Sequence, residues 1–344
     1  MEAYISNIIN EIQKIFNNAP TYCVGGMCRD ILMNKEPYDF DIATPLSPEE
    51  IEKAIRKAGK KPYLIGKRFG TIGMNLDGQL VEITTFRTEE YKEGSRKPKV
   101  SFVKDITADL SRRDFTINAM ALRKGKLIDP FGGQKDIKNK LIKAVGQPSH
   151  RFKEDSLRML RACRFASQLG FKIDQDTFDK MKQLNYKILQ VSKERWMIEL
   201  DKILMTEKPS VGLNYMMTTR LMSFMIPELA LQYKYDQCSK YHDLTLWEHT
   251  AKALDVTPKD INLRWGILLH DVGKPFIRTD KYSEGVYVKT NYIKHDLVGA
   301  EFVEKIARYL KWSNERRETV KNLVANHLQD DSPLREYDMK GKKE

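Results

Sequence analysis

The spacing of apolar residues changes once along this chain, and that change limits the fold more than any other feature. From Thr21 to about Phe131, short alternating runs (YCVGG, FDIAT, GTIGMNL, LVEITTF, KVSFV and KLIDPF) are separated by turns, the pattern of half-buried strands. One helix interrupts them, SPEEIEKAIRKAG, with Ser47 as its N-cap and Pro48 at the first helical position. Beyond about Lys140 the spacing turns helical, as in EDSLRMLRACRFASQLG, SKERWMIELDKILM and NERRETVKNLVANHL, and the strands stop. The opening MEAYISNIINEIQKIFNN predicts an amphipathic helix, with Ile5, Ile8, Ile9, Ile12 and Phe16 on the side that packs on a core. An α+β chain follows: a mixed-sheet head, then an all-helical remainder.

The 344 residues suffice for two or three domains, and 59 Lys and Arg against 47 Asp and Glu leave a net charge of +12. That excess suits a polyanionic partner such as nucleic acid or a nucleotide. Cys23, Cys28, Cys163 and Cys238 follow no C-x-x-C spacing, as expected in a reducing cytoplasm. No apolar run approaches the ~20 residues of a membrane span, and no repeat or low-complexity tract is present.

The stretch YCVGGMCRDILMNKEPYDFDIAT carries the chemistry. Asp39 and Asp41, two apart on a strand, project together while Phe40 turns into the core. Like charges held so close repel unless a cation lies between them, and oxygen-only ligands suit Mg²⁺ shared with substrate phosphates. Glu82, beyond the turn signal Asp77-Gly78, is expected on a neighbouring strand as the third carboxylate of a two-ion site. Gly25 and Gly26 let the backbone approach a triphosphate, with Arg29 and Asp30 following at a helix start. Either element alone is an ordinary turn or strand edge; in this order they point to a nucleotide site.

The succession G-G-x-x-R-D then D-x-D resembles the nucleotidyltransferases of the polymerase β superfamily. More closely, the chain resembles the class II tRNA nucleotidyltransferases (CCA-adding enzymes) and bacterial poly(A) polymerases. The resemblance implies a nucleotidyltransferase head over residues 1–140, a helical, nucleotide-selecting neck over 141–220 and a helical body with an HD-like domain over 221–344. It further implies that Asp39 and Asp41 are catalytic and hold Mg²⁺, and that LSRRDFTINAMAL supplies Arg113, Asp114 and Asn118 near the nucleotide, Asp114 at the ribose hydroxyl. The tRNA 3′ end, CTP and ATP are the implied partners.

In HRFKEDSLRMLRACRF, Asp155 and Arg158 are three apart and can face one ligand. A carboxylate only accepts and a guanidinium only donates, so the pair complements the amino group and ring nitrogen of cytosine or adenine and opposes uracil and guanine. The resemblance makes these the base-selecting pair, groups Arg161 with them, and gives Glu194 and Arg195 a bracing role. Poly(A) polymerases of the family carry a His after the basic pair and Phe, where GKRFGTIGM has Gly70-Thr71, which favours CCA addition. The charged connection from Arg87 to Lys99 resembles the flexible loop that CC-only members lack.

Five of the six histidines lie in the last third. ILLHDVGKP places His270 beside Asp271 and resembles the HD phosphohydrolase signature, with His249 upstream and His295 downstream. Such a set can hold a second divalent metal, Mg²⁺, Mn²⁺ or Ni²⁺. The closing Asp is not apparent; Asp330 and Asp331 are the candidates. The alternatives left open are CC-only or poly(A) addition, and an HD-type phosphohydrolase acting on nucleotides.

Overall fold

The computed structural model describes residues 2–37, 39–91, 98–238 and 244–342. It divides into two compact units, Met1–Glu154 and Asp155–Glu344.

The first unit is built on a seven-stranded mixed sheet. Its strands and helices run α1 (Glu2–Ile15), β1 (Tyr22–Val24), α2 (Gly25–Leu32), β2 (Phe40–Thr44), α3 (Pro48–Lys57), β3 (Pro62–Tyr63), β4 (Thr71–Leu76), β5 (Gln79–Thr85), β6 (Arg87–Glu90), β7 (Lys99–Phe102), α4 (Ile106–Ser111), β8 (Ala121–Arg123) and β9 (Lys126–Ile128). The order across the sheet is β3-β4-β5-β2-β1-β8-β9, and β6 pairs with β7 as a separate two-stranded arm. Asp77 and Gly78 both take positive φ, the two-residue turn that joins β4 to β5 and sets their register. The hairpin thereby brings β5 back beside β2, to which it runs parallel. Ile8 and Ile12 of α1, with Phe16 just after it, pack with Ile51 and Ile55 of α3 on Phe40, Ile42, Val81 and Ile83. Burying each such side chain contributes about 1.5–3 kcal/mol. Ser47 and Glu50 close a reciprocal capping box at the start of α3.

Two expectations need correction here. Strand β2 begins at Phe40, so Asp39 lies in a bend one residue ahead of it and is exposed. Arg29 and Asp30 sit inside α2, not at its start, because the helix already begins at Gly25.

The second unit is mainly helical, with long segments at Leu157–Leu169, Lys193–Leu204, Leu246–Val256, Ile261–Leu269, His295–Tyr309 and Asn314–Ala325. Trp196 and Trp265 are fully buried in it. Arg264, 3 % exposed, donates to the carbonyls of Leu204, Thr206, Thr257 and Pro258, satisfying acceptors that helix ends leave without partners. The strands do not stop at Lys140: Thr279–Ser283 and Val286–Asn291 form a hairpin around Glu284 and Gly285, both at positive φ. Its alternating Lys, Tyr and Val carry a period of two too short to stand out between helices. Among the described residues no helix is long and apolar enough to cross a membrane.

Candidate active site and metal centre

In the first unit the chain leaves β1 at Val24 and turns at once into α2 through Gly25, whose φ is +63°. A Cβ there would stand 3.1 Å from both Asp41 Oδ2 and Arg113 Nη1. Gly25 therefore has two reasons to be glycine, conformation and space. Gly26 has neither: a Cβ on it would meet only the Arg29 side chain, at 3.5 Å.

Asp41 lies opposite Glu82 in the parallel register of β2 and β5, as expected of a third carboxylate on the neighbouring strand. Burial first, then the nearby Glu82 and Asp39, push its carboxyl up to about 6, against the pull of Arg113. Acidic groups that raise one another's affinity for protons are suited to a divalent cation, so this donor set fits Mg²⁺. The set is open: among the described residues, the groups of three or more ligand types with donor atoms within 4.8 Å of one another all lie in the second unit.

Arg29, Asn118 and Asp114 form a buried chain. Arg29 Nη1 donates to Asn118 Oδ1 at 2.9 Å, and Asn118 Nδ2 donates to Asp114 Oδ1 at 3.3 Å. Arg113 Nη2 donates to the fully buried Asp109 at 3.3 Å. Residues 92–97, the middle of the charged connection expected to be a flexible loop, lie outside the described residues.

In the second unit Asp155 accepts from Leu157 N at 3.1 Å, just ahead of the helix Leu157–Leu169. Arg195 donates to both of its oxygens. Arg158 is 7 % exposed. Arg161 reaches Glu199 at 3.8 Å, and Arg164 holds the same carboxylate at 2.7 Å. Glu199, an anchor for this helix, was not singled out in the sequence, where it reads as one more charged helical residue.

The HD motif is brought together most fully. His249, His270, Asp271 and His295 converge as expected, joined by His327 and Asp338, which sequence reasoning missed. Asp330 and Asp331 are corrected by Asp338: both are exposed, and Asp330 makes a surface pair with Arg335, whereas Asp338 Oδ1 lies 2.9 Å from His249 Nε2. Asp271 divides its oxygens. Oδ2 is 3.1 Å from His270 Nε2, and Oδ1 is 3.1 Å from His295 Nε2 and 3.8 Å from His327 Nε2. Two ligand sets therefore share one carboxylate, His249, His270, Asp271 and Asp338 on one side and Asp271, His295 and His327 on the other.

The ring nitrogens are oriented for this. Nδ1 of His270, His295 and His327 lies 2.7, 2.8 and 2.7 Å from the carbonyls of Ile267, Tyr292 and Val324, so each ring donates there and turns its Nε2 inward. His295 and His327 then face each other, Nε2 to Nε2, at 3.1 Å, an arrangement of two acceptors that a cation relieves. Burial lowers the His327 imidazole to about 4, which keeps it a neutral ligand. Burial acts likewise on His270, but Asp271 and Asp338 outweigh it and raise that ring to about 10, so a proton there balances the carboxylates. A pocket of about 360 Å³ adjoins the cluster, with Lys274 at 2.6 Å from Asp271 and Lys342 at 2.8 Å from Asp338.

Comparison with known proteins agrees with this layout. The family model described as "Poly A polymerase head domain" matches residues 21–143, "Probable RNA and SrmB- binding site of polymerase A" matches 170–232, and "HD domain" matches 242–341. The CCA-adding enzyme of Geobacillus sp. is 35% identical over 301 residues, covering 86% of this chain and 69% of the relative. That of Pediococcus pentosaceus is 40% identical over 248 residues, 70% of this chain and 62% of the relative. That of Ligilactobacillus salivarius is 44% identical over 205 residues, 59% and 50% respectively, so the match spans only half to under two thirds of these last two. The crystal structure of the Bacillus stearothermophilus CCA-adding enzyme in complex with CTP superposes with a TM-score of 0.64 at 26% identity, over 98% of this chain and 80% of that one.

Proposed function

This chain belongs to the family of CCA-adding enzymes, and we propose that it adds C, C and A to the 3′ end of tRNA from CTP and ATP, releasing pyrophosphate. The observation that carries the proposal is Asp41, set in register with Glu82 and pressed against Gly25 and Arg113. Asp39 and Asp41 would hold two Mg²⁺ ions, with Glu82 assisting. When bound, the ions offset charge on the triphosphate, activate the RNA 3′ hydroxyl and stabilise the departing pyrophosphate.

The chain's own residues do the positioning. Gly25 allows the backbone close to the phosphates, Arg113 donates to phosphate oxygens, and Arg29, itself held by Asp30, positions Asn118. Asp114 and Asn118 orient the ribose hydroxyl. Asp155 and Arg158, with Arg161 beside them, select the base, because only cytosine and adenine offer a donor to the carboxylate and an acceptor to the guanidinium. The division into head (1–140), neck (141–220) and body (221–344) is part of the same proposal, and its cytoplasmic setting is supported by four free cysteines. A tRNA lacking its 3′ end, incubated with each nucleotide alone and then with CTP plus ATP, separates full CCA addition from CC-only and poly(A) addition by product length.

A second activity is favoured by the HD cluster: metal-dependent hydrolysis of phosphate esters of nucleotides. Its support is the convergence of four histidines and two aspartates beside a pocket carrying Lys274 and Lys342. Phosphate release from 2′,3′-cyclic or 2′-nucleotides, without primer, tests it.

A further inference from the structure

Asp109 is fully buried in the first unit's core, and two neighbouring arginines divide it between them. Arg112 binds Oδ1 through Nε at 3.0 Å and Nη2 at 2.9 Å, while Arg113 Nη2 binds Oδ2 at 3.3 Å. The two guanidiniums then diverge. Arg113 presents Nη1 beside Gly25 and Asp41. Arg112 points the other way, to the β6–β7 arm, where Nη1 donates to Glu89 Oε1 at 3.0 Å and Nε to Arg87 O at 3.1 Å. Glu89 is in turn held by Arg87 at 2.9 Å and by the Tyr91 hydroxyl at 2.8 Å. Arg87 N returns to Asp109 Oδ1 at 3.2 Å, closing the circuit.

We propose that Asp109 and Arg112 are positioning residues for nucleotidyl transfer, fixing the Arg113 guanidinium beside Asp41 by anchoring it to the arm through Glu89. The inference rests on the nucleotidyltransferase reading of the Asp41 site. A bland alternative is that the ion pairs merely fasten α4 to β6. Three observations favour positioning. Among the described residues Arg113 Nε is buried with no hydrogen-bond partner, so the bond from Nη2 to Asp109 helps orient this side chain. Asp109 stays ionised although burial opposes it, because Arg113 and Arg112 together hold its carboxyl below the usual range. The circuit is also more than a single clasp, since Glu89 carries three partners and its side chain is only 8 % exposed. Buried networks of this kind couple their members, so a change at Glu89 is felt at Arg113 without touching it.

The test compares Asp109→Asn, Glu89→Gln and Arg113→Lys, singly and in pairs, in single-turnover nucleotide addition to a tRNA lacking its 3′ end, with melting temperatures alongside. Asp109→Asn should lower kcat by about 10- to 100-fold, and Glu89→Gln by a smaller factor, with KM for the tRNA unchanged in both. In combination with Arg113→Lys neither should lower kcat further, because all three act on one guanidinium. Folded variants with wild-type kcat, or losses that multiply with that of Arg113→Lys, would overturn the proposal. Should Asp109→Asn fail to fold, Glu89→Gln decides by the same criteria. A wild-type protein that adds no nucleotide would instead remove the nucleotidyltransferase reading on which the proposal stands.

Discussion

Arg195 donates to both carboxylate oxygens of Asp155, at 3.2 and 2.6 Å, and so fixes the plane of the acceptor that is proposed to choose the base. The brace and the chooser can be separated by mutation. Asp155→Ala or Arg158→Ala should relax selection so that UTP and GTP are incorporated, because the pattern of donor and acceptor is lost. Arg195→Ala should give a weaker loss of selectivity and little loss of stability, about 0–1 kcal/mol, since both partners are partly exposed. Incorporation of each nucleotide singly reads the outcome; unchanged discrimination by Asp155→Ala would remove the protein from the role of template.

Gly25→Ala should cost about 1–2 kcal/mol from the left-handed backbone alone. The added methyl would also push on Asp41 and Arg113, so nucleotide addition should fall more steeply than stability does. Gly26→Ala, with no such contacts, should behave nearly as the wild type. Melting curves and primer extension on the two variants check this; equal effects would mean that the close approach at Gly25 has no chemical role.

Asp41 has its carboxyl raised from 3.8 to about 6, so the folded chain holds this proton more tightly than the unfolded one. The stability associated with the neutral carboxyl is fully present below about pH 4 and is lost as pH rises through about 6. Asp41→Asn removes the buried charge and should therefore be more stable than the wild type at pH 8 without divalent ions, by about 2–3 kcal/mol, with the difference vanishing below pH 4. Denaturant unfolding at the two pH values measures it. A less stable Asp41→Asn at pH 8 would contradict the cost of burying this charge beside Glu82 and Asp39.

How much of this was legible in the sequence depends on spacing. Asp41 and Glu82 could be placed because a period of two and an Asp-Gly turn fix which side chains share a face, and β5 does return beside β2; Asp39, ahead of the strand, could not. The start of β2 could not, since strand ends are set by pairing partners and not by the residues themselves. Asp338 escaped for a related reason. It lies in a short helix, Arg335–Gly341, whose residues show no regular apolar stripe, and only tertiary packing brings it to His249. His327 likewise carried no motif beyond its own identity. Its role is visible only once Val324 O takes Nδ1 and leaves Nε2 facing His295.

The HD cluster should bind two divalent ions per chain, because Asp271 is shared by both ligand sets. Asp271→Asn should abolish both, and His327→Ala only one. Metal content after dialysis against Mn²⁺ gives the stoichiometry. Chelation should lower the melting temperature of a chain loaded at 100 times Kd by the equivalent of about 2.7 kcal/mol for each site. No bound metal, or an Asp271→Asn variant that binds as the wild type does, would leave the cluster as a buried hydrogen-bonded network without an ion.

Primer extension by Asp41→Ala on a tRNA lacking its 3′ end, with CTP, ATP and Mg²⁺, tests the central claim most directly. The wild type should extend the primer by C, C and A, and a folded Asp41→Ala should add nothing. Extension by the variant at the wild-type rate would show that the carboxylate beside Gly25 does not take part in nucleotidyl transfer.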